Sequence, residues 1–276
     1  MVKKDPDHIT ARMEILDFVN SKTEEEDLSW ISPVNVEHAR KFLVELPEEV
    51  ADIGDAEGTF RIADIGCGRG ELTKEIAEKY KEVDAFGIDI SAEAVKSAII
   101  KLDDHNNGFA IGGNANKLLS ELEDFNFIYA INVVQDSTKP IKLMQKMAEN
   151  LEHGGHIAMT IPGENALEMF PEHRDFDDKK SLPFMIMEDI NAEGEEIIWK
   201  QYAIPREKLK ENLEKMNLKI DAERKLPADA SGLPKLMKLL EKDERVNEAE
   251  KIASSQDENP EKGPKVNFYL LKKRCK

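Results

Sequence analysis

The stretch Arg61-Ile-Ala-Asp-Ile-Gly-Cys-Gly-Arg-Gly-Glu-Leu-Thr-Lys-Glu-Ile-Ala-Glu-Lys-Tyr80 decides the fold. Ile62, Ala63 and Ile65 form a short apolar run, interrupted by Asp64, that reads as a buried strand. Gly66, Gly68 and Gly70 follow at alternating positions, and Leu72, Ile76, Ala77 and Tyr80 then recur at helical spacing. The unit is strand, glycine turn, helix. Glycine is required where the backbone takes positive φ or where a ligand touches the main chain. A helix start adds free N–H groups and the positive end of its dipole. Together they make a site for a polar, partly anionic ligand at the carboxyl end of a strand. A tight turn with no ligand is the plainer reading of a lone glycine motif; the residues farther along argue against it.

A dinucleotide turn has the spacing G-x-G-x-x-G, with a pyrophosphate over the helix start. Here the third glycine comes one residue early and Glu71 follows at once, a carboxylate that would repel pyrophosphate. No Tyr-x-x-x-Lys pair for hydride transfer is recognisable, which further disfavours a nicotinamide-dependent oxidoreductase. The pattern Asp64-Ile-Gly-Cys-Gly-Arg-Gly instead resembles the first motif of the class I, Rossmann-like methyltransferases, which bind S-adenosylmethionine.

The next residues extend that resemblance. Val83 to Asp89 reads as a second buried strand, and Ser91 as the cap of a helix over Ala92 to Leu102. An acid about 20 residues beyond the glycines, at a strand end, can accept bonds from two ribose hydroxyls; the resemblance gives this role to Asp89. Phe109 to Ala115 reads as a third strand and turn, and Asn114 matches the position that reads the adenine amino group, where Asp is commoner. Phe125 to Asp136 is a fourth strand and its loop, from which Asn132, Gln135 and Asp136 would project towards the transferred methyl. The loop lacks the N-P-P-Y signature of nucleic-acid amino methyltransferases and looks closer to the small-molecule enzymes. Leu151-Glu-His-Gly-Gly matches the family's entry to the fifth strand, so His153 and His156 read as structural. The resemblance thus assigns the donor to Asp64, Gly66, Cys67, Gly68, Gly70, Asp89, Ile90, Asn114, Ala115 and Asn132. Asp136 and His173 are the candidates for a general base, needed only if the acceptor must lose a proton.

Composition bounds the rest. The 276 residues suit one sizeable domain with extensions. No run is apolar enough to span a bilayer, and the start, Met1-Val-Lys-Lys-Asp-Pro-Asp-His, has no signal core. Two cysteines, Cys67 and Cys275, give neither a disulfide framework nor a metal cluster. A cytoplasmic location is the default expectation. The net charge of -17 would repel a phosphate backbone. The densest basic run, Lys208 to Lys225, is interleaved with Glu207, Glu211, Glu214 and Glu223, and reads as a solvated helix face.

Two helices are expected before the first strand, His8 to Asn20 and Val36 to Leu46, the second ended by Pro47. After the fifth strand the regular alternation stops. Gly163 to Lys200, with Phe170, Phe184 and Trp199, reads as a substrate lid leaving the ligand face. A helix from Pro205, a sixth strand from Leu218 to Lys225 and a last strand from Val266 follow. The long connection Leu226 to Lys265 reads as a second insertion on that face. The expected fold is α/β: a doubly wound seven-stranded sheet, last strand antiparallel, with N-terminal helices and two insertions on the ligand face. The expected organisation is a helical extension, 1–60, and a methyltransferase domain, 61–276, with insertions at about 163–200 and 226–265. The activity implied is methyl transfer from S-adenosylmethionine to a small-molecule acceptor, with no nucleic acid, membrane or metal involved. A silent donor-binding partner subunit is the alternative from another class.

Overall fold

The computed structural model describes residues 43–51, 53, 59–122, 124–162, 174–190, 196–227 and 265–275. Its centre is a seven-stranded sheet of order β3-β2-β1-β4-β5-β10-β9. The strands are β1 (Phe60–Ile65), β2 (Val83–Asp89), β3 (Gly108–Gly112), β4 (Phe125–Ala130), β5 (Leu151–Pro162), β9 (Leu218–Pro227) and β10 (Lys265–Lys273). β10 runs antiparallel to both of its neighbours, β5 and β9, as the resemblance implies. β1 and β4 are buried along most of their length because helices cover both faces of the sheet. Strand order reverses between β1 and β4, which opens a crevice at their carboxyl ends.

The helices are α1 (43–50), α2 (Glu71–Lys79), α3 (Ala92–Leu102), the single turn α4 (Ala115–Leu118), α5 (Pro140–Glu149) and α6 (Arg206–Lys215). Each forms for a local reason. Ser91 accepts from Ala94 N at 3.2 Å and starts α3. Pro140 opens α5, where its missing N–H costs nothing. α5 then buries Leu143, Met144, Met147 and Ala148, which share one helical face. One core joins this helix to Ile65, Ile128 and Met159 of the sheet. The core on the opposite face joins Leu43 and Leu46 of α1 to Ile76, Phe127 and Tyr129.

Two expectations are corrected. α1 does not end at Pro47 but runs through it to residue 50. A proline there cannot donate to the carbonyl of Leu43, four residues back. The buried Tyr129 hydroxyl donates to that carbonyl instead, and the Tyr80 hydroxyl donates to the carbonyl of Val44 at 2.7 Å. Tyr129 of β4 and Tyr80, at the end of α2, therefore hold the turn that proline weakens.

The second correction concerns the stretch after β5. Much of it is regular: β6 (Arg174–Asp177), β7 (Leu182–Ile190) and β8 (Glu196–Tyr202) form a separate antiparallel sheet of order β6-β7-β8. β8 carries the element past Lys200 to Tyr202 and packs on the 3₁₀ turn Val134–Asp136 that follows β4. Leu182, Phe184 and Tyr202 are buried in the main core, so Phe184 is a packing residue and not part of a pocket roof. Phe170, His173, the Trp199 side chain, the His8 to Asn20 helix and residues 228–264 of the second insertion lie outside the described residues.

Candidate functional site

The glycine turn joins the end of β1 to α2 at the strand-order reversal. Gly66, Gly68 and Gly70 have φ of 73°, 55° and 81°, all left-handed, and each is glycine for a different further reason. A Cβ on Gly66 would fall 2.1 Å from Cγ2 of Val133, in the loop after β4. A Cβ on Gly70, the residue that caps α2, would fall 2.9 Å from Cβ of Ala98 on α3. A Cβ on Gly68 would meet nothing within 4 Å. Gly66 and Gly70 are thus closed in by protein, while Gly68 opens onto free space: a cradle that a side chain would fill.

Asp89, at the end of β2, stands beside that space. Its Oδ2 accepts from Gly68 N at 2.8 Å and its Oδ1 from Ser91 N at 2.9 Å. These two bonds fix the carboxylate against the turn. Each carboxylate oxygen has a further lone pair, so both can still accept from a diol. Glu71, at the helix start, pairs with Lys101 of α3. Its charge is therefore partly answered within the protein.

Asp64 and Cys67 lie beneath the turn. Asp64 is 5% exposed and accepts from Thr73 Oγ1 at 2.8 Å, tying β1 to α2. Burial raises its pKa to about 7, against the lowering effect of the Thr73 bond. Cys67 packs over Gly87 of β2, where a Cβ would fall 2.8 Å from its sulfur. Burial pushes its thiol well above the ordinary range, which makes it an inert filler.

Past β4 the chain turns through Asn132, whose φ is 56°. Its N–H donates to Thr160 Oγ1 at 2.7 Å, and the Thr160 hydroxyl donates back to Asn132 Oδ1 at 3.1 Å. This two-way clamp joins the loop to β5. Gln135 follows, 6% exposed, with its Oε1 lacking a hydrogen-bond partner among the described residues. Asp136 closes the 3₁₀ turn, its N–H on Val133 O at 3.0 Å. At the end of β3, Asn114 is exposed and caps α4 by accepting from Asn116 N at 2.9 Å. Its carbonyl thus has a local duty besides any contact with a ligand. Ile90 and Ala115 are half-buried at the rim.

The structure therefore gathers the glycines, Asp89, Ile90, Asn132 and Asp136 around the reversal crevice, with Asn114 and Ala115 at the neighbouring strand end. Val133, Thr73 and Thr160 were not legible beforehand. Each acts through a partner distant in sequence, and none carries a local signal. His153 is exposed. His156 is 1% exposed, stacks on Phe127 with centroids 6.3 Å apart and lies 3.8 Å from Asp221. Burial lowers its pKa to about 4. Among the described residues no group of three or more His, Cys, Asp or Glu could hold a metal ion. No described helix is long and apolar enough to cross a membrane.

A family model described as a methyltransferase domain matches residues 57–217, more than half of the chain. A trans-aconitate 2-methyltransferase of Rhodopseudomonas palustris (strain BisB18) is 30% identical over 102 residues, 37% of this chain and 38% of that protein. The chain thus matches well under half the length of this curated relative. The N-methyltransferase NodS from Bradyrhizobium japonicum, solved with S-adenosyl-L-homocysteine, has a TM-score of 0.56 at 12% identity over 98% of this chain and 99% of its own. The cyclase SpnF has a TM-score of 0.55 at 15% identity, covering 87% and 82%. These two likenesses concern the fold alone, and they show one fold carrying two different reaction types.

Proposed function

Because the chain belongs to the methyltransferase-domain family, we propose that it transfers the methyl group of S-adenosylmethionine to a small-molecule acceptor in the cytoplasm. The observation that carries this reading is the open cradle at Gly68 with Asp89 fixed beside it. The donor suits that cradle: it has ribose hydroxyls for Asp89, an amino-acid tail for the helix start and no phosphate to be repelled. When bound, it would bring a methyl group on an already activated sulfonium, open to in-line attack from the side opposite sulfur. The protein's own task is then alignment and exclusion of water. Asn132, held by Thr160, and Gln135, whose carbonyl has no hydrogen-bond partner among the described residues, would orient the acceptor.

Trans-aconitate and other small carboxylic acids are the first acceptors to assay, since the curated relative bears that substrate in its name. A carboxylate is already ionised at neutral pH and needs no base. A hydroxyl acceptor would call on Asp136 or His173. Asp136→Asn separates the two cases, lowering turnover with hydroxyl acceptors and sparing carboxylates.

Calorimetric titration tests the donor assignment. S-adenosylhomocysteine should bind, and Asp89→Ala should weaken it by roughly 1.5–3 kcal/mol, the scale of hydrogen bonds to a charged group. Gly68→Ala should weaken it too while keeping a cooperative thermal transition. A heat signal with NAD alone would sink the proposal. Donor binding with no turnover on any acceptor would instead favour a silent partner subunit.

A further inference from the structure

Among the described residues, the exposed large hydrophobic side chains are Ile99 (51%), Ile100 (76%), Phe109 (39%) and Phe176 (52%). Three of these four gather at one place, the β3 edge of the sheet and the helix α3 that leads into it. A notch of about 460 Å³ lies there, lined in part by Phe86, Ile99, Leu102, His105 and Phe109. β3 is a free edge among the described strands, paired to β2 on its inner side.

The backbone of β3 shows which groups face outward. Ala85 N donates to Asn107 O at 2.8 Å, and Gly113 N donates to Asp89 O at 2.8 Å. Successive residues in a strand turn their polar groups to opposite sides, so Asn107, Phe109, Ile111 and Gly113 bond to β2. Ala110 and Gly112 therefore turn their N–H and C=O groups to the open side, and Gly108 its C=O, while the Gly108 N–H donates to His105 O at 3.1 Å. The run Gly108-Phe-Ala-Ile-Gly112 has no charge, no proline and no bulge, the devices that usually blunt a sheet edge.

We propose that this edge is a homodimer interface, in which β3 pairs antiparallel with β3 of a second copy about a two-fold axis at Ala110. The occupant is argued from self-complementarity. In this register Ala110 exchanges both its bonds with its own copy, and the Gly112 N–H of each copy meets the Gly108 C=O of the other. Phe109 then stands opposite Ile111 of the second copy, an aromatic–β-branched cross-strand pair. A two-fold axis through the sheet keeps both α3 helices on one face, so Ile99 and Ile100 of the two copies line the same seam. The charges agree as well. Exposed Asp103 and Asp104 precede β3 and exposed Lys117 follows it, so antiparallel pairing brings the acids of one copy towards the lysine of the other. The inference is independent of the chemistry proposed above.

Sedimentation and hydrogen exchange on the full chain test it. The parent should show a mass twice that of the 31.3 kDa chain at tens of micromolar, dissociating on dilution. The amides of Ala110 and Gly112 should become protected with the dimer, while those of Phe109 and Ile111 stay protected in both states. Ala110→Pro removes an outward N–H that β2 does not use, and Phe109→Lys places a charge on the edge. Each should raise the dimer dissociation constant by about tenfold or more. Retained binding of S-adenosylhomocysteine and a retained thermal transition in Phe109→Lys show that the fold survives. A parent that stays monomeric, or a dimer that withstands both variants with Ala110 still exchanging freely, overturns the proposal.

Discussion

Two buried ionisable residues give the stability of this protein an unusual pH profile. Asp64 titrates near 7 in the folded chain against 3.8 unfolded. Its folded form holds the proton more tightly, so the stability it lends at low pH is lost as pH rises from about 4 to about 7, a change of about 4 kcal/mol. His156 titrates near 4 folded against 6.5 unfolded. Its stability is complete above 6.5 and is lost as pH falls towards 4, a change of about 3 kcal/mol. The slopes oppose each other over much the same window. The parent should therefore show nearly level urea midpoints from pH 4.5 to 6.5. Asp64→Asn should leave midpoints that fall towards acid, and His156→Phe midpoints that rise. Parallel curves for all three proteins would show that neither side chain is shifted as described. At this scale the sequence was only partly legible. The glycines and Asp89 carry their meaning in local spacing, whereas Asp64 reads as part of a ligand motif until Thr73 is seen closing over it.

Elements were legible where their signals were local and failed where a remote partner decided them. Ser91 and Pro140 mark helix starts because a cap is a matter of a few residues. Pro47 misleads for the opposite reason. The group that compensates for it is the Tyr129 hydroxyl, more than eighty residues away. The same logic makes a prediction. Tyr129→Phe should destabilise by about 1–3 kcal/mol, since it leaves the Leu43 carbonyl buried without a donor. Pro47→Ala supplies an N–H at the proper helical position, so the double variant should recover most of that loss. Equal losses in the presence and absence of Pro47, read from chemical denaturation, would refute the account. The β6-β7-β8 sheet has no such local signal: among the described strands its own pair only with one another, and Leu182, Phe184 and Tyr202 feed the main core.

At the scale of the molecule, alternating strands and helices made the doubly wound class legible, while the seven strands with an antiparallel last one came from the family resemblance alone. The shape of the acceptor pocket was not legible, since it depends on packing between segments far apart in the chain. The overall charge of -17 bears on partners. Fluorescence anisotropy with tRNA and duplex DNA at physiological salt should show no binding tighter than about 10 μM. Sub-micromolar binding would move the acceptor to nucleic acid.

The position of β10 also sets an order of events during synthesis. It follows β9 in sequence and is the last of the described strands, yet it lies between β5 and β9 and bonds to both. A chain emerging from the ribosome can assemble β1 to β5 with their helices, but β9 then arrives with no edge to join. It must wait until residues 265–273 have followed residues 228–264 out of the exit tunnel. Until then the β5 edge stands open, and any chaperone that recognises nascent strands has its longest opportunity at that point. The emergence of residues 265–273 is thus the step that closes the sheet.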